Sequence, residues 1–173
     1  MVENERVWQN REPYPTLAII DAKSIKNADT ANSKGYDSAK KVSGIKIHLA
    51  VDILGLPLAL HTTTADKTDK GGAIEMLSCN FCNLLGIKKI LVDGAYIGDT
   101  FADFVNTVYA AQVEVVKRNE IHKFTVLPKR WIVERSFGWL DKSRRLWKNC
   151  ERKLHTSMQI TVLAFISILL KRY

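Results

Sequence analysis

Three carboxylic acids are spaced along this sequence so that they could share metal ions. Asp21 follows the apolar run Thr16 to Ile20, and Asp93 follows the run Lys88 to Val92. Short apolar runs of this kind are typical of buried strands, so each strand is predicted to end at an acid. Glu134 comes later, in a segment that the same reasoning predicts to be helical.

In open α/β sheets, ligands bind beyond the carboxyl ends of the strands, so Asp21 and Asp93 are expected to converge. Glu134 would join them if its helix packs across the sheet. Three carboxylates in one pocket repel each other unless a divalent cation balances them, and Mg²⁺ prefers such oxygen ligands. Two ions about 3.5–4 Å apart can hold the attacking and leaving oxygens of a phosphoryl displacement. The acids therefore predict a site for two Mg²⁺ ions, with Mn²⁺ as a substitute.

Each acid also has a simpler interpretation. Either aspartate could cap a loop at a strand end, and Glu134 could form a surface ion pair with Arg130, four residues earlier. Such a pair contributes only about 0.3–0.5 kcal/mol to stability. For any one acid alone the simpler interpretation is favoured, whereas all three in this order favour the metal site.

The segment from Val126 to Lys148 is predicted to form the helix that carries Glu134. Pro128 suits a helix start, because proline lacks only an N–H that would be unpaired there. The helical repeat places one set of residues on a single face: Arg130, Glu134, Gly138, Asp141 and Arg145. A second set is predicted to pack as the apolar surface: Trp131, Ile132, Phe137, Leu140 and Trp147.

The remaining pattern predicts an α/β fold with a mixed five-stranded sheet flanked by helices. Residues 22–44 are polar and are predicted to form a loop. Alternation from Ile45 to Ile53 predicts a strand with one buried face, and 58–64 its hairpin partner. Residues 1–15 are predicted to be a polar N-terminal arm, and 16–173 a single catalytic domain.

The composition favours an anionic partner. The chain has 26 Lys+Arg and 18 Asp+Glu, a net charge of +8, and a pI near 9.4. Between Lys129 and Lys153 nine basic residues face only three acids, and Trp139 and Trp147 lie among them, a combination that indicates nucleic acid. The odd cysteine count and the short apolar run from Met158 to Leu170 predict a cytoplasmic, nucleoid-associated protein without membrane contact.

Five long segments of this sequence together resemble one known protein family. They are IIDAKSIKN, GYDSAKKVSGIKIHLAVDILGLPLAL, TADKTDKGGA, ILVDGAYIGD and LPKRWIVERSFGWLDKSRRL, spread over residues 19–146. Together they resemble the DDE transposases of bacterial insertion sequences, in particular the insertion-sequence-five group. The resemblance implies a ribonuclease-H-like fold and metal-dependent DNA strand cleavage and joining. By position, Asp21, Asp93 and Glu134 match the three catalytic, metal-binding acids.

The family also has a signature of Tyr, Arg, Glu and Lys around the glutamate. Arg130 fits this signature, but Leu127 stands at the Tyr position and Asp141 at the Lys position, with Lys142 one further on. The resemblance implies that Arg130 steers a phosphate or orients Glu134, and that Lys142 contacts the DNA end. The other DNA-binding candidates are the basic residues Arg144, Arg145 and Lys148.

The resemblance also implies partners. These are the transposon ends and the target DNA, a second copy of the chain on the DNA, and a DNA-binding domain from an upstream reading frame, because only 20 residues precede Asp21. Two alternatives remain open, an inactive DNA-binding remnant of a transposase and a cellular nuclease of the same fold.

Overall fold

The computed structural model describes residues 1–116 and 129–171. The strands are β1 (Leu17–Lys26), β2 (Gly35–Asp37), β3 (Val42–Val51), β4 (Pro57–Thr64), β5 (Lys89–Val92) and β6 (Gln112–Val115). The α-helices are α1 (Val2–Trp8), α2 (Asp69–Cys79), α3 (Asp99–Tyr109), α4 (Trp131–Leu140) and α5 (Leu154–Leu170). Within these ranges no helix is long and apolar enough to cross a membrane.

The five main strands form one mixed sheet in the order β4, β3, β1, β5, β6. The strands β1, β5 and β6 are parallel, whereas β3 is antiparallel to both of its neighbours, β1 and β4. The short strand β2 pairs with the beginning of β3 and was not predicted. The predicted α/β class is confirmed: the chain has a mixed sheet of five main strands flanked by helices.

Helices cover both faces of the sheet. On one face, α2 and α3 bury Ala73, Met76, Leu77, Phe101 and Val105 against Ala18 and Ile20 of β1. On the other, α4 and α5 bury Ile132, Val133, Phe137, Leu140 and Phe165 against Ile19 and Ile25 of the same strand. Odd-numbered positions of β1 therefore face α4, which puts the side chain of Asp21 on the α4 side.

The prediction that β1 ends at Asp21 is wrong, and the predicted loop over 22–44 is only partly correct, since β1 runs to Lys26, β2 lies within the loop and β3 starts at Val42. β1 continues to Lys26 because β3 pairs with it from Ile19, opposite Val51, to Lys26, opposite Gly44. Its other neighbour is shorter, since β5 pairs only with residues 17–19. Asp21 therefore lies within β1 but just beyond the end of β5.

The hairpin of β3 and β4 is confirmed, but the prediction that β3 has one polar, exposed face is wrong. Lys46 and His48 are 5% and 0% exposed, because α2 covers that face. The Lys46 ammonium lies 2.8 Å from Asp69 and 3.5 Å from Asp37, which balances its buried charge. Burial lowers the pKa of His48 to about 4, so its ring is neutral and shares a 2.9 Å hydrogen bond with Thr63.

The predicted N-terminal arm contains helix α1, which is attached to the sheet by a buried ion pair. Arg6 binds Asp52, in the turn between β3 and β4, and both side chains are almost fully buried. Asp52 also accepts hydrogen bonds from the backbone N–H groups of Leu54 and Leu56. The domain boundary after residue 15 stays a prediction.

Helix α4 is shorter than predicted, ending at Leu140. Ile132, Phe137 and Leu140 pack in the core as expected, but Trp131 and Trp147 are 49% and 65% exposed, so their predicted packing role is wrong. The beginning of the predicted helix, Val126 to Pro128, lies outside the described residues.

Candidate active site

The three acids come from three different segments that meet beside β1, just beyond the end of β5. Asp21 lies within β1, Asp93 directly follows β5, and Glu134 is in the first turn of α4. Because Ile19 is in register with Leu91, the end of β5 brings Asp93 level with Asp21. Asp93 is held there by a 2.9 Å hydrogen bond that its carboxylate accepts from the backbone N–H of Ala95.

Arg130 connects the acid that follows β5 with the acid on α4. Its Nη2 atom lies 3.2 Å from Oδ2 of Asp93, and its Nε lies 3.6 Å from Oε1 of Glu134. The Arg130 side chain is only 18% exposed, whereas Glu134 is 57% exposed. Asp93 and Glu134 therefore lie on the same side of the sheet, with a guanidinium between them.

The surroundings of Asp21 disfavour its ionised form. Burial raises its pKa from 3.8 to about 6, and the negative charge of Asp93 adds to that effect. A 2.8 Å hydrogen bond from the Ala22 N–H and the positive charges of Arg130 and Lys40 act in the opposite direction. The raised pKa shows that Asp21 lies in a poorly solvated place where its ionised form lacks a full counter-charge.

The donor set has the chemistry that a hard divalent cation requires, since all three acids offer carboxylate oxygens. Within residues 1–116 and 129–171, no three ligands are already close enough to hold a metal, and the Arg130 guanidinium lies between two of them. Among the buried polar atoms of the described residues that have no hydrogen-bond partner are Nε of Arg130 and the hydroxyl of Tyr96, on which the charges of Asp21 and Asp93 act. Asp21, Asp93 and Glu134 thus fit a metal site that Arg130 partly neutralises.

Three further residues near the acids were not predicted to belong to the site. Lys40 donates a 3.1 Å hydrogen bond to the Ala22 carbonyl, and Lys23 lies two residues after Asp21 on the same face of β1. The charges of Asp21 and Asp93 act on the buried Tyr96 hydroxyl, and burial raises its pKa strongly. Recognising that β1 continues past Asp21 would have found Lys23, because alternate strand residues share a face.

The predicted DNA-binding residues other than Arg130 lie beside the far end of β1. The segment after α4 returns to this strand, where the Asn149 N–H donates a 2.8 Å hydrogen bond to the Lys26 carbonyl. Lys142, Arg144, Arg145 and Lys148 are all exposed on this segment. Arg145 already binds Glu151 at 2.7 Å, which leaves it less available for phosphate than Arg144.

Asp141 occupies the position where the signature has a lysine, and it binds a lysine from elsewhere in the fold. The Lys23 ammonium of β1 forms an ion pair with the Asp141 carboxylate and lies 6.0 Å from the ring centre of Phe137. The Lys23 ammonium therefore lies beside the signature position at the end of α4, although the residue at that position is an acid. Leu127, at the signature Tyr position, lies outside the described residues.

Comparison with known proteins identifies the family. Residues 13–170 match the family model described as the transposase DDE domain, which covers most of the chain. The chain belongs to the DDE transposase family. It is a DDE transposase catalytic domain, and its family is one of polynucleotidyl transferases.

Two individual proteins show how similar the chain is to known relatives. A Brucella ovis protein named as a transposase for insertion sequence element IS6501 is 30% identical to this DDE domain over 131 residues, which are 73% of this chain and 98% of the relative. The solved structure of the Mos1 mariner paired end complex with Mn aligns with a TM-score of 0.39 and 11% identity. The alignment covers 96% of this chain but only 60% of the Mos1 chain.

Proposed function

We propose that this DDE domain catalyses metal-dependent DNA strand cleavage and strand transfer at the ends of an insertion sequence. The observation that carries the proposal is the position of Arg130, which contacts Asp93 at 3.2 Å and Glu134 at 3.6 Å and whose charge also acts on Asp21. One guanidinium thus pairs with Asp93, which follows β5, and with Glu134 of α4, and its charge acts on Asp21 of β1. Family membership supplies the reaction class.

In this proposal Asp21, Asp93 and Glu134 hold Mg²⁺, or Mn²⁺ in its place. When bound, two such ions clamp the attacking and leaving oxygens of an in-line phosphoryl displacement. Asp21 is half-buried at a fixed point of the central strand and supplies the rigid part of the site. Glu134 is more exposed and belongs to a helix that starts only three residues earlier, so it supplies the adjustable part.

The DNA backbone is proposed to run from the acids along the far end of β1. Lys142, Arg144 and Lys148 are exposed there, and their side chains form no ion pair within the described part of the chain. Contacts to phosphate position DNA without reading its sequence. These residues are therefore proposed to position the DNA backbone, and a second copy of this chain is proposed to hold the other transposon end.

The proposal can be tested with a DNA duplex that carries the sequence flanking the coding region. One duplex is left intact, and a second carries a pre-cut end, so that joining can be measured even if end recognition requires another domain. With Mn²⁺ or Mg²⁺ present, we expect new 3′-hydroxyl ends on the first duplex and joined products from the second. The Asp93→Asn variant should give neither.

The two alternatives predict different product patterns. A nuclease of the same fold would cut the intact duplex but give no joined product from the pre-cut one. An inactive remnant would bind both duplexes without changing either. Each of these results would overturn the proposal.

A further inference from the structure

We propose that Arg130 is a resident counter-ion of the acid site, which competes with the metal ion and is released toward a DNA phosphate when the metal binds. This inference rests on the proposed function, because it concerns the same three acids. It assigns Arg130 two alternative partners, the carboxylates in the metal-free protein and the DNA backbone in the loaded one.

The first step of the argument is the balance of charge. Asp93 is 21% exposed and Asp21 is half-buried, so water solvates neither acid fully. Arg130 is the guanidinium within ion-pair distance of Asp93, and its charge is also the largest positive one acting on Asp21. In the metal-free protein, the positive charge of Arg130 therefore lowers the repulsion between the carboxylates, as a bound divalent ion would.

The second step is that the hold of Arg130 on the acids is weak. Its contact with Glu134 is 3.6 Å, too long for a hydrogen bond, and its buried Nε has no hydrogen-bond partner among the described residues. A strongly bound guanidinium donates two parallel hydrogen bonds to one carboxylate. Here Arg130 makes a single contact with each of two acids, so a divalent ion can displace it.

The third step concerns where the released side chain can go. Arg130 immediately precedes α4 and makes no side-chain cap of that helix, so its side chain can turn without breaking the helix. Guanidinium groups bind phosphate with two parallel hydrogen bonds. DNA that takes Arg130 away from the acids should therefore raise their metal affinity, and metal should raise DNA affinity by the same factor.

The experiment measures Mn²⁺ binding to the full chain by calorimetry, without DNA, for the wild type, Arg130→Gln and Arg130→Lys. We expect Arg130→Gln to bind Mn²⁺ about 3- to 10-fold more tightly, the range given by loss of two partly exposed ion pairs. Arg130→Lys should bind with nearly the wild-type affinity, because the competing charge remains. Arg11→Gln, which removes an exposed arginine far from the acids, should not change the affinity. A short duplex of arbitrary sequence should tighten Mn²⁺ binding in the wild type but not in Arg130→Gln.

An Arg130→Gln variant whose affinity for Mn²⁺ does not increase would overturn the inference. If Arg130 only orients Glu134, Arg130→Gln will bind Mn²⁺ more weakly than the wild type, or equally, while circular dichroism shows that it is folded. That result leaves the proposed function standing, provided that Asp93→Asn abolishes Mn²⁺ binding. If neither the wild type nor Arg130→Gln binds Mn²⁺, both the proposed metal site and this inference are wrong.

Discussion

At the residue scale, the chemistry of Asp21 depends on how the fold buries it. In an unfolded chain its carboxyl has a pKa near 3.8, but burial on the central strand raises it to about 6. An acid that resists ionisation in the metal-free protein is one that gains strongly when a cation arrives. The folded protein therefore carries an energetic cost at neutral pH that a metal ion would remove.

This cost predicts a stabilising substitution. A carboxyl whose folded pKa is raised stabilises the fold fully below pH 4, and that contribution is lost as the pH rises through about 6. Asp21→Asn removes the ionisation, so without metal it should be more stable than the wild type at pH 7, by about 1–3 kcal/mol. The two should be equally stable near pH 4. Urea denaturation at both pH values measures the difference.

The exposed Asp29→Asn substitution is the matched control for Asp21→Asn and should leave stability unchanged at both pH values. Adding Mn²⁺ should stabilise the wild type but not Asp21→Asn. If Asp21→Asn were less stable than the wild type at pH 7, the ionised Asp21 would have to be well paired in the folded chain, contrary to this account.

At the scale of single elements, helix α1 is attached to the sheet by the buried ion pair between Arg6 and Asp52. Arg6 and Asp52 are 5% and 0% exposed, and the Arg6 Nε also donates a 2.8 Å hydrogen bond to the Glu12 carbonyl. Asp52 in turn orders the turn between β3 and β4 through two backbone N–H groups. The pair therefore links the N-terminal segment to the hairpin that supports β1.

Breaking this pair should be costly. Arg6→Met keeps much of the side-chain volume but leaves the Asp52 carboxylate buried without its cation, which should lower the free energy of unfolding by about 3–5 kcal/mol. Arg11→Met, the same change at an exposed arginine, should lower it by less than about 0.5 kcal/mol. Thermal or urea denaturation measures both. Equal effects of the two substitutions would show that α1 contributes little to the fold.

The same scale shows which elements could be predicted from the sequence. β5 is a short apolar run with a clear end, and the alternation of β3 and the turn after it are clear in the sequence, so the pattern predicted β5 and the β3–β4 hairpin. β1 was cut short because Lys23 and Ser24 look like loop residues, although pairing with β3 keeps them in the strand. The polar face of β3 was predicted as exposed because nothing local reveals that α2 covers Lys46 and His48.

The site was predictable to a similar degree. The order of the acids and the strand that ends before Asp93 could be inferred from the local sequence pattern. The pairing of Arg130 with Glu134 could be inferred in the same way, from their spacing of four residues. The contact of Arg130 with Asp93 could not, since it depends on how α4 packs against β1 and β3 of the sheet. The contact of Lys23 with Asp141 depends on the same packing, because these residues are far apart in sequence.

At the scale of the whole molecule, the net charge of +8 is not spread evenly. Lys142, Arg144 and Lys148 lie on the exposed segment that returns from α4 to the far end of β1. The Lys23–Asp141 ion pair joins this segment to the strand that carries Asp21. The charge is thus concentrated where a DNA strand leaving the acids would pass.

This arrangement predicts unequal contributions to DNA binding. Arg144→Ala should lower the slope of log affinity against log salt by about 0.9, the contribution of one phosphate contact. Arg145→Ala should lower it less, because Arg145 already binds Glu151 through two hydrogen bonds. Fluorescence anisotropy of a labelled duplex across a salt series gives both slopes. An unchanged slope in Arg144→Ala would remove this segment from the DNA-binding surface.

The central claim, that Asp21, Asp93 and Glu134 form one metal-dependent active site, is tested most directly by Glu134→Gln in the strand-joining assay. Glutamine keeps the shape of the side chain but not the charge that holds a metal. We expect normal folding and DNA binding, with the rate of Mn²⁺-dependent joining of a pre-cut end reduced at least about a hundredfold. Glu114→Gln, which removes an acid from the surface ion pair with Lys89, should join at the wild-type rate. A Glu134→Gln protein that joins DNA as fast as the wild type, and loses only about 0.3–0.5 kcal/mol of stability with its Arg130 pair, would contradict the account.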